Sequence, residues 1–516
     1  MENKAYANIP AEKFQFVKDR DISHDKKLET KPVGYFRDAF GRFCKNKGSV
    51  VAAIIVLLLI LFALIGPYAM SPVYTGSYGS DTDVMNYQYL LPKLSFMEGT
   101  GVWDGTQKEE NVNSAIYYRY VGIQQERGGE VILSESRSGN TYTLRVDTYR
   151  SMRVFQKTLT LQQYQDLQQW QDENNMQVIL PAVNSVRAQG YNTNMSVWFV
   201  SDRSGTPTLD SQGNLQPAYY TYATESARND AYTSKMRLAD DPYVNGDTEN
   251  GWSYARRTGT SAAGFNYVVR VDPYNYFIYK YGFEPSFIFG TDRSGYDIFT
   301  RLAGGARFSM LFAIAVSAIN LIIGAIYGAI EGYYGGAVDL TMERISDILS
   351  GLPTMVVTVL FNLHLTKYIG VVPALLYAFI LTGWIGIAST TRMQFYRYKN
   401  QEYVLAARTL GARDRRLIWK HIFPNSLGTL ITSSVLIIPG VIFSETSLSY
   451  LGIINLNSSS MSSVGSMLSA GQSLMTTYPH IILFPALFIA LLMISFNLFG
   501  NGLRDAFNPS LRGSED

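Results

Sequence analysis

Apolar side chains are concentrated in six stretches of the chain, and the polar segments fall between them. The first stretch, residues 49–70, reads SVVAAIIVLLLILFALIGPYAM and carries no charge. A helix of that length spans the roughly 30 Å hydrocarbon core of a bilayer. It begins late and lacks a small-residue cleavage site, so the expectation is a retained signal anchor rather than a removed signal peptide. Further apolar runs at about 309–330, 349–365, 371–389, 427–446 and 481–499 predict five more transmembrane helices. Between the first and second spans, residues 71–285 have a different pattern. Short alternating segments at 130–134, 141–147, 196–200 and 267–271 predict strands, and Arg127-Gly128-Gly129 and Ser138-Gly139-Asn140 are turn signals between them. Residues 161–175 are Gln-rich and predict a helix. The expected architecture is a six-helix polytopic membrane protein with a folded α+β domain inserted between helices 1 and 2, joined to the second span by residues 286–308.

Charge orients these spans. Residues 1–48 hold eleven Lys or Arg, which the positive-inside rule places in the cytoplasm. The insert then lies outside, and six spans return residues 501–516 to the cytoplasm. Two later loops test this orientation independently. Residues 392–424 contain Arg392, Arg397, Lys399, Arg408, Arg413, Arg415, Arg416 and Lys420, whereas residues 453–478 contain no Lys or Arg. The first is therefore expected inside and the second outside. The net charge of +2 gives no reason to expect nucleic acid as a partner. The lone cysteine, Cys44, cannot form an intramolecular disulfide, and His24, His364, His421 and His480 have no metal-site spacing. The insert holds 22 of the 36 tyrosines, a residue common in strands as well as in binding surfaces. Ionisable residues are scarce within the spans, where a proton- or sodium-coupled carrier needs them. Glu445, near a span end, reads as a residue at the membrane boundary.

Residues 401–427, QEYVLAARTLGARDRRLIWKHIFPNSL, read as helix, turn, helix. Glu402 suits the positive end of a helix dipole, and Ala406, Ala407 and Leu410 follow at helical spacing. Gly411 is placed as a left-handed C-terminal cap. A second helix is expected from Asp414 to about Ile422, stopped by Pro424. Two adjacent alanines allow such a helix to approach another surface closely. On these residues alone, a short helix that inserts into a partner's groove and an ordinary amphipathic surface helix are both open.

Glu402, Ala406-Ala407, Gly411 and Ile422-Phe423-Pro424 resemble the EAA loop of ABC importer permeases, in the spaced form of the oligopeptide and dipeptide branch. Further similarity to C-type permeases of that branch runs through Gly290-Thr291-Asp292, Gly295, Asp297, Arg301, Gly305 and Arg307. It continues through Gly332 to Gly336 with Asp339, Glu445 with Leu448-Ser449 and Gly452, and Asn497 with Gly500 to Asp505. Tyr296, Phe423 and Val464 depart from the usual residues, and the insert is far longer than the usual loop.

The resemblance implies a type I importer fold and a permease subunit that translocates oligopeptides across the cytoplasmic membrane. It also implies that Glu402, Ala406, Ala407, Arg408, Gly411 and Pro424 form the ATPase-coupling loop. The implied partners are two cytoplasmic ABC ATPase subunits, a second related permease, an extracellular substrate-binding lipoprotein, the peptide and membrane lipid. No Walker A pattern occurs in the sequence, so the chain is not expected to be an enzyme or to hold a cofactor. ATP would be bound by the partners. Nothing in the pattern singles out substrate-contacting or metal-binding residues. A membrane sensor whose outer domain binds a ligand, or an importer of a non-peptide substrate such as nickel complexes, are the alternatives.

Overall fold

The computed structural model describes residues 35–69, 82–220, 252–260, 264–456 and 462–507. The remaining parts of the expected N-terminal segment, insert and tail lie outside the described residues. Helix α1 (Tyr35–Lys45) leads into α2 (Lys47–Ala69), and Phe43 of α1 meets Phe499 edge-on at 5.7 Å.

The insert builds two antiparallel sheets. In chain order it contains β1 (Thr106–Val112), α3 (Ser114–Arg127), β2 (Ile132–Ser138), β3 (Thr141–Asp147), β4 (Phe155–Thr160), α4 (Leu161–Asn174), β5 (Ile179–Leu180), β6 (Ala255–Thr260), β7 (Gly264–Val271) and α5 (Pro273–Tyr281). The first sheet has the order β1-β3-β2; in the second, β4 and β5 pair with β7, and β6 also pairs with β7. Strands β2 and β3 form a hairpin in which Ser138 faces Thr141. Its two-residue loop opens with Gly139 at φ +60, where a side chain would be strained. Helix α4 starts with a capping box between Thr160 and Gln163. On β7, Tyr267, Val269 and Val271 face a hydrophobic core, while Arg270 is buried on the opposite side against Glu126. That alternation makes β7 the strand on which the second sheet is built.

The insert rests on the helical part through its two stems. Thr291 N–H donates to the Leu90 carbonyl at 2.9 Å, and Trp103 Nε1 donates to the Ile288 carbonyl at 2.6 Å. Phe289 stacks on Phe484 at 4.1 Å and Tyr89 on Tyr478 at 4.4 Å.

The helical part continues with α6 (Ile298–Tyr334), α7 (Gly336–Ser350), α8 (Thr354–Ile369), α9 (Val371–Gly383), α10 (Ile385–Tyr398) and α11 (Glu402–Thr409). A helix from Asp414 to Tyr450, here α12, is followed by α13 (Val464–Gln472) and α14 (His480–Phe507). Among the described residues, five helices are long and apolar enough to cross a membrane, with α9 and α10 counted as one (Val371–Tyr398), and there are up to six if the bent pair α7 and α8 is one span. Helix α6 is central. Gly324, Gly328 and Gly332 form a stripe at four-residue spacing along it, and a Cβ on Gly324 would sit 2.6 Å from the Trp384 carbonyl oxygen. On Gly332 it would sit 2.8 Å from that of Arg392. The bare stripe lets α6 and α10 approach backbone to backbone, the usual means of packing helices that lipid does not drive together.

Several expected boundaries shift for identifiable reasons. The second span begins at Ile298, inside the segment expected to precede it, because the Asp297 side chain caps the helix by accepting from Phe299 and Thr300 N–H. Arg301 and Arg307 hide that turn from a hydropathy window. The stretch expected as one helix at 349–365 breaks at Gly351 to Pro353, where α7 and α8 meet at 72°. Within residues 196–200 only Phe199 forms a bridge, to Pro217, instead of a strand; the bonds beside it run from Val200 N–H to the Gln216 carbonyl and from Ala218 N–H to the Trp198 carbonyl. Glu445, expected near a span end, lies five residues before the end of its helix at Tyr450 and is fully buried within the protein.

Candidate functional site

The loop between α10 and α12 is built around α11. Glu402 lies in its first turn, where a carboxylate complements the exposed N–H groups. The helix ends in a Schellman motif: Gly411 N–H donates to the Arg408 carbonyl at 3.0 Å, and Ala412 N–H to the Ala407 carbonyl at 3.1 Å. Gly411 takes φ +81 to close it, as a glycine in that position can without strain. One face of α11 is anchored. Val404 is fully buried with Ala329, Tyr333, Phe395, Leu417, Ile418 and Ile422, and Ala407 packs against this cluster.

The other face is open. Glu402, Ala406, Arg408 and Gly411 are exposed, as is Pro424 on α12, so the structure brings the expected coupling residues to one loop. It adds apolar residues that the motif does not contain. Leu410 is 88% exposed, and Tyr403, Leu405 and Trp419 are also exposed. Exposed apolar side chains on a polar loop are the kind of surface that suits contact with another molecule. Their polar flanks disguised them in the sequence; 403 and 410, seven residues apart, fall near one side of the helix, whereas 405 lies on another.

Pro424 does not end the second helix. Residues Leu417–Ile422 form a π-helical segment that passes directly into Phe423–Tyr450, with Pro424 in the first turn of that stretch. The wider turn changes the hydrogen-bond register where proline has no N–H to give. Helix α12 therefore runs unbroken from the loop through the bundle.

Charged groups stiffen the platform beneath α11. Arg392 on α10 donates from Nε and Nη2 to both Asp339 carboxylate oxygens at 2.6 and 2.8 Å, and from Nη1 and Nη2 to Glu343 at 2.8 and 3.0 Å. Glu331 of α6 is a third carboxylate, at 3.6 Å. Tyr396 donates to Asp339 at 2.6 Å, and Lys399 to the Gly332 carbonyl at 2.9 Å. Burial lowers the Lys399 pKa from its ordinary value, opposed by the Asp339 charge. Tyr333 of α6 donates to Asp414, and the Arg408 guanidinium lies 5.9 Å over the Tyr333 ring. Helix α11 thus rests on α6, α10 and α12, and Arg392 ties α10 in turn to α7.

The family described as binding-protein-dependent transport system inner membrane component matches residues 320–513. The N-terminal TM domain of oligopeptide transport permease C matches residues 34–92. Similar proteins include the oligopeptide transport system permease protein OppC of Bacillus subtilis, 43% identical over 224 residues, covering 43% of this chain and 72% of that protein. The dipeptide transport system permease protein DppC of the same organism is 40% identical over 225 residues, covering 43% and 69%. OppC of Haemophilus influenzae is 41% identical over 227 residues, covering 43% and 70%. Residues 93–319, with most of the insert, fall between the two matched family regions.

Proposed function

The chain belongs to the family of binding-protein-dependent transport system inner membrane components, in its oligopeptide and dipeptide permease branch, and from that premise we propose that α11 is where ATP hydrolysis on partner subunits is coupled to peptide import. The chain is a multi-pass inner-membrane permease subunit. In the proposed assembly it pairs with a second, related permease. Two cytoplasmic ATPases bind ATP, an external binding lipoprotein delivers the peptide, and this chain needs no cofactor of its own. The N- and C-termini and the α11 loop face the cytoplasm, in keeping with the basic residues around them, and the insert faces outward.

The observation that carries this reading is the α11 surface itself. Leu405 and Leu410 are exposed on a short helix whose other face is locked to the bundle. Seated in a cleft of an ATPase, Glu402, Ala406, Ala407, Arg408 and Gly411 would form the contact, with Pro424 at its edge. Closure of the ATPases would move α11, and α12, continuous from the loop, would tilt with it and switch the pathway between outward-open and inward-open arrangements.

The test is a cysteine cross-link. With Cys44→Ser removing the native thiol, Leu410→Cys should form a disulfide with a cysteine placed in the ATPase cleft, and the link should stop ATP-driven peptide uptake until it is reduced. Failure of Leu410→Cys to link to any ATPase, in a complex that still imports peptide, would sink the assignment of α11.

A further inference from the structure

Coupling at α11 gives no role to the buried carboxylate of Glu445. Glu445 lies on α12 shortly before the helix ends at Tyr450 and is 0% exposed. The groups that bond to it are hydroxyls from three elements. Ser309 Oγ of α6 donates to Oε2 at 2.9 Å, and Ser449 Oγ, one turn further along α12, donates to Oε1 at 3.0 Å. The Ser463 hydroxyl is a third neighbour. Ser463 is also the N-cap of α13, where its Oγ accepts from Ser466 N–H at 3.2 Å. A hydroxyl can give its proton to a carboxylate while its lone pair takes the cap bond, so Ser463 serves both.

The backbone fits the same joint. A Cβ on Gly465 of α13 would lie 2.5 Å from the Thr446 carbonyl oxygen, and one on Gly305 of α6 would lie 3.2 Å from the backbone at Ser463 and Val464. The start of α13 is therefore wedged between α6 and α12, with no room for a side chain at Gly465, and Glu445 bonds across the same joint. Burying a carboxylate among membrane helices is expensive unless its acceptors are filled; here filling them joins the three elements. At its other end α12 begins at Asp414, bonded to Tyr333 beside α11. At ~1.5 Å of rise per residue, Glu445 lies about 45 Å along the helix from Asp414.

We propose that Glu445 is a positioning residue of the transport cycle: its carboxylate clamps the N-terminus of α13 to α6 and α12, so that motion entering α12 at the coupling loop is delivered to α13 at the opposite end of the bundle. This rests on the importer reading above. Without the clamp, ATP is hydrolysed but α13 no longer follows α12.

The experiment uses the full complex with its partner subunits in liposomes, in a Cys44→Ser background. Met467→Cys, buried on α13, is probed with a membrane-impermeant maleimide, and peptide uptake and ATP hydrolysis are measured together. Glu445→Ala should lower peptide taken up per ATP about tenfold and speed labelling about tenfold, the scale of one lost hydrogen bond to a charged group. Glu445→Gln, which keeps the shape and one acceptor oxygen, should recover part of both. Should Glu445→Ala fail to assemble, Ser309→Ala and Glu445→Gln carry the test, each with a severalfold drop in uptake per ATP. Unchanged uptake per ATP and unchanged labelling in these variants, beside a wild-type complex that imports peptide, overturn the clamp. A wild-type complex that hydrolyses ATP but imports no peptide overturns the importer reading, and the clamp with it.

Discussion

Replacing Arg392 by alanine removes the guanidinium that holds α7 and α10 together and leaves Asp339, Glu343 and Glu331 facing one another. Four hydrogen bonds of 2.6 to 3.0 Å are lost. Asp339 and Glu331 are largely buried, at 12% and 4% side-chain exposure, and Arg392 itself is 23% exposed. Stripping one partner from a buried pair costs about 3–5 kcal/mol, because the remaining charge is stranded. Water reaches part of this site and screens it, which places Arg392→Ala near the lower end, at about 3 kcal/mol. The assay is a double-mutant cycle on the full-length protein in mixed micelles, following unfolding with added SDS for Arg392→Ala, Asp339→Ala and the double variant. The double variant should be no less stable than Arg392→Ala alone, with a coupling energy of about 2 kcal/mol, within the range for contacting residues. A loss below about 0.5 kcal/mol for Arg392→Ala, the size of an ordinary surface substitution, or additive effects in the cycle, would refute the reasoning.

Other predictions follow from the same geometry. Gly328→Val puts a side chain against the Ala388 carbonyl and should destabilise the α6–α10 contact by about 1–3 kcal/mol, read as a lower unfolding midpoint in the same micelle assay. In the insert, Arg270 bonds to Glu126, the Pro181 carbonyl and the Met195 carbonyl. Arg270→Ala should therefore cost about 3–5 kcal/mol and expose the insert to limited proteolysis in the full-length protein, leaving the spans protected. Burial raises the Asp104 pKa, but hydrogen bonds from Thr106 and Gly101 and the Arg145 charge outweigh it and leave the folded value below the ordinary 3.8. Its contribution is thus present above the unfolded value and is lost as pH falls through the lower folded one. Acid unfolding of the insert below about pH 3.8 should begin at higher pH in Arg145→Ala than in wild type, followed by tyrosine fluorescence.

Much of this fold was legible because hydropathy and charge are local signals. The first span and the strand at residues 141–147 needed only neighbouring residues, and the helix Leu161–Asn174 was announced by its Gln-rich composition. What escaped depends on partners distant in sequence. The early start of α6 requires Asp297 to be seen as a cap, and the 72° bend requires Gly351 and Pro353 to be weighed above an apolar run. The passage of α12 through Pro424 depends on a π turn that no short motif encodes. In the candidate site, the resemblance pointed to Glu402, Ala406, Ala407 and Gly411. The exposure of Leu410 and the network on Arg392 emerge only once α6, α7 and α10 are brought together. The enclosure of Glu445 could not be read because Ser309, which bonds to it, lies 136 residues away in the chain.

The most direct measurement is a mild-detergent pull-down of the full-length chain from its native membrane, wild type beside Gly411→Asp, with co-purifying proteins identified by mass. Gly411 holds φ +81, and nothing lies within 4 Å of the position its Cβ would take, so aspartate strains the end of α11 without a clash in the bundle. Two ATPases and a second permease should accompany the wild type, and the ATPases alone should be lost from the variant. ATPases retained equally by Gly411→Asp, or none accompanying the wild type, would contradict the account.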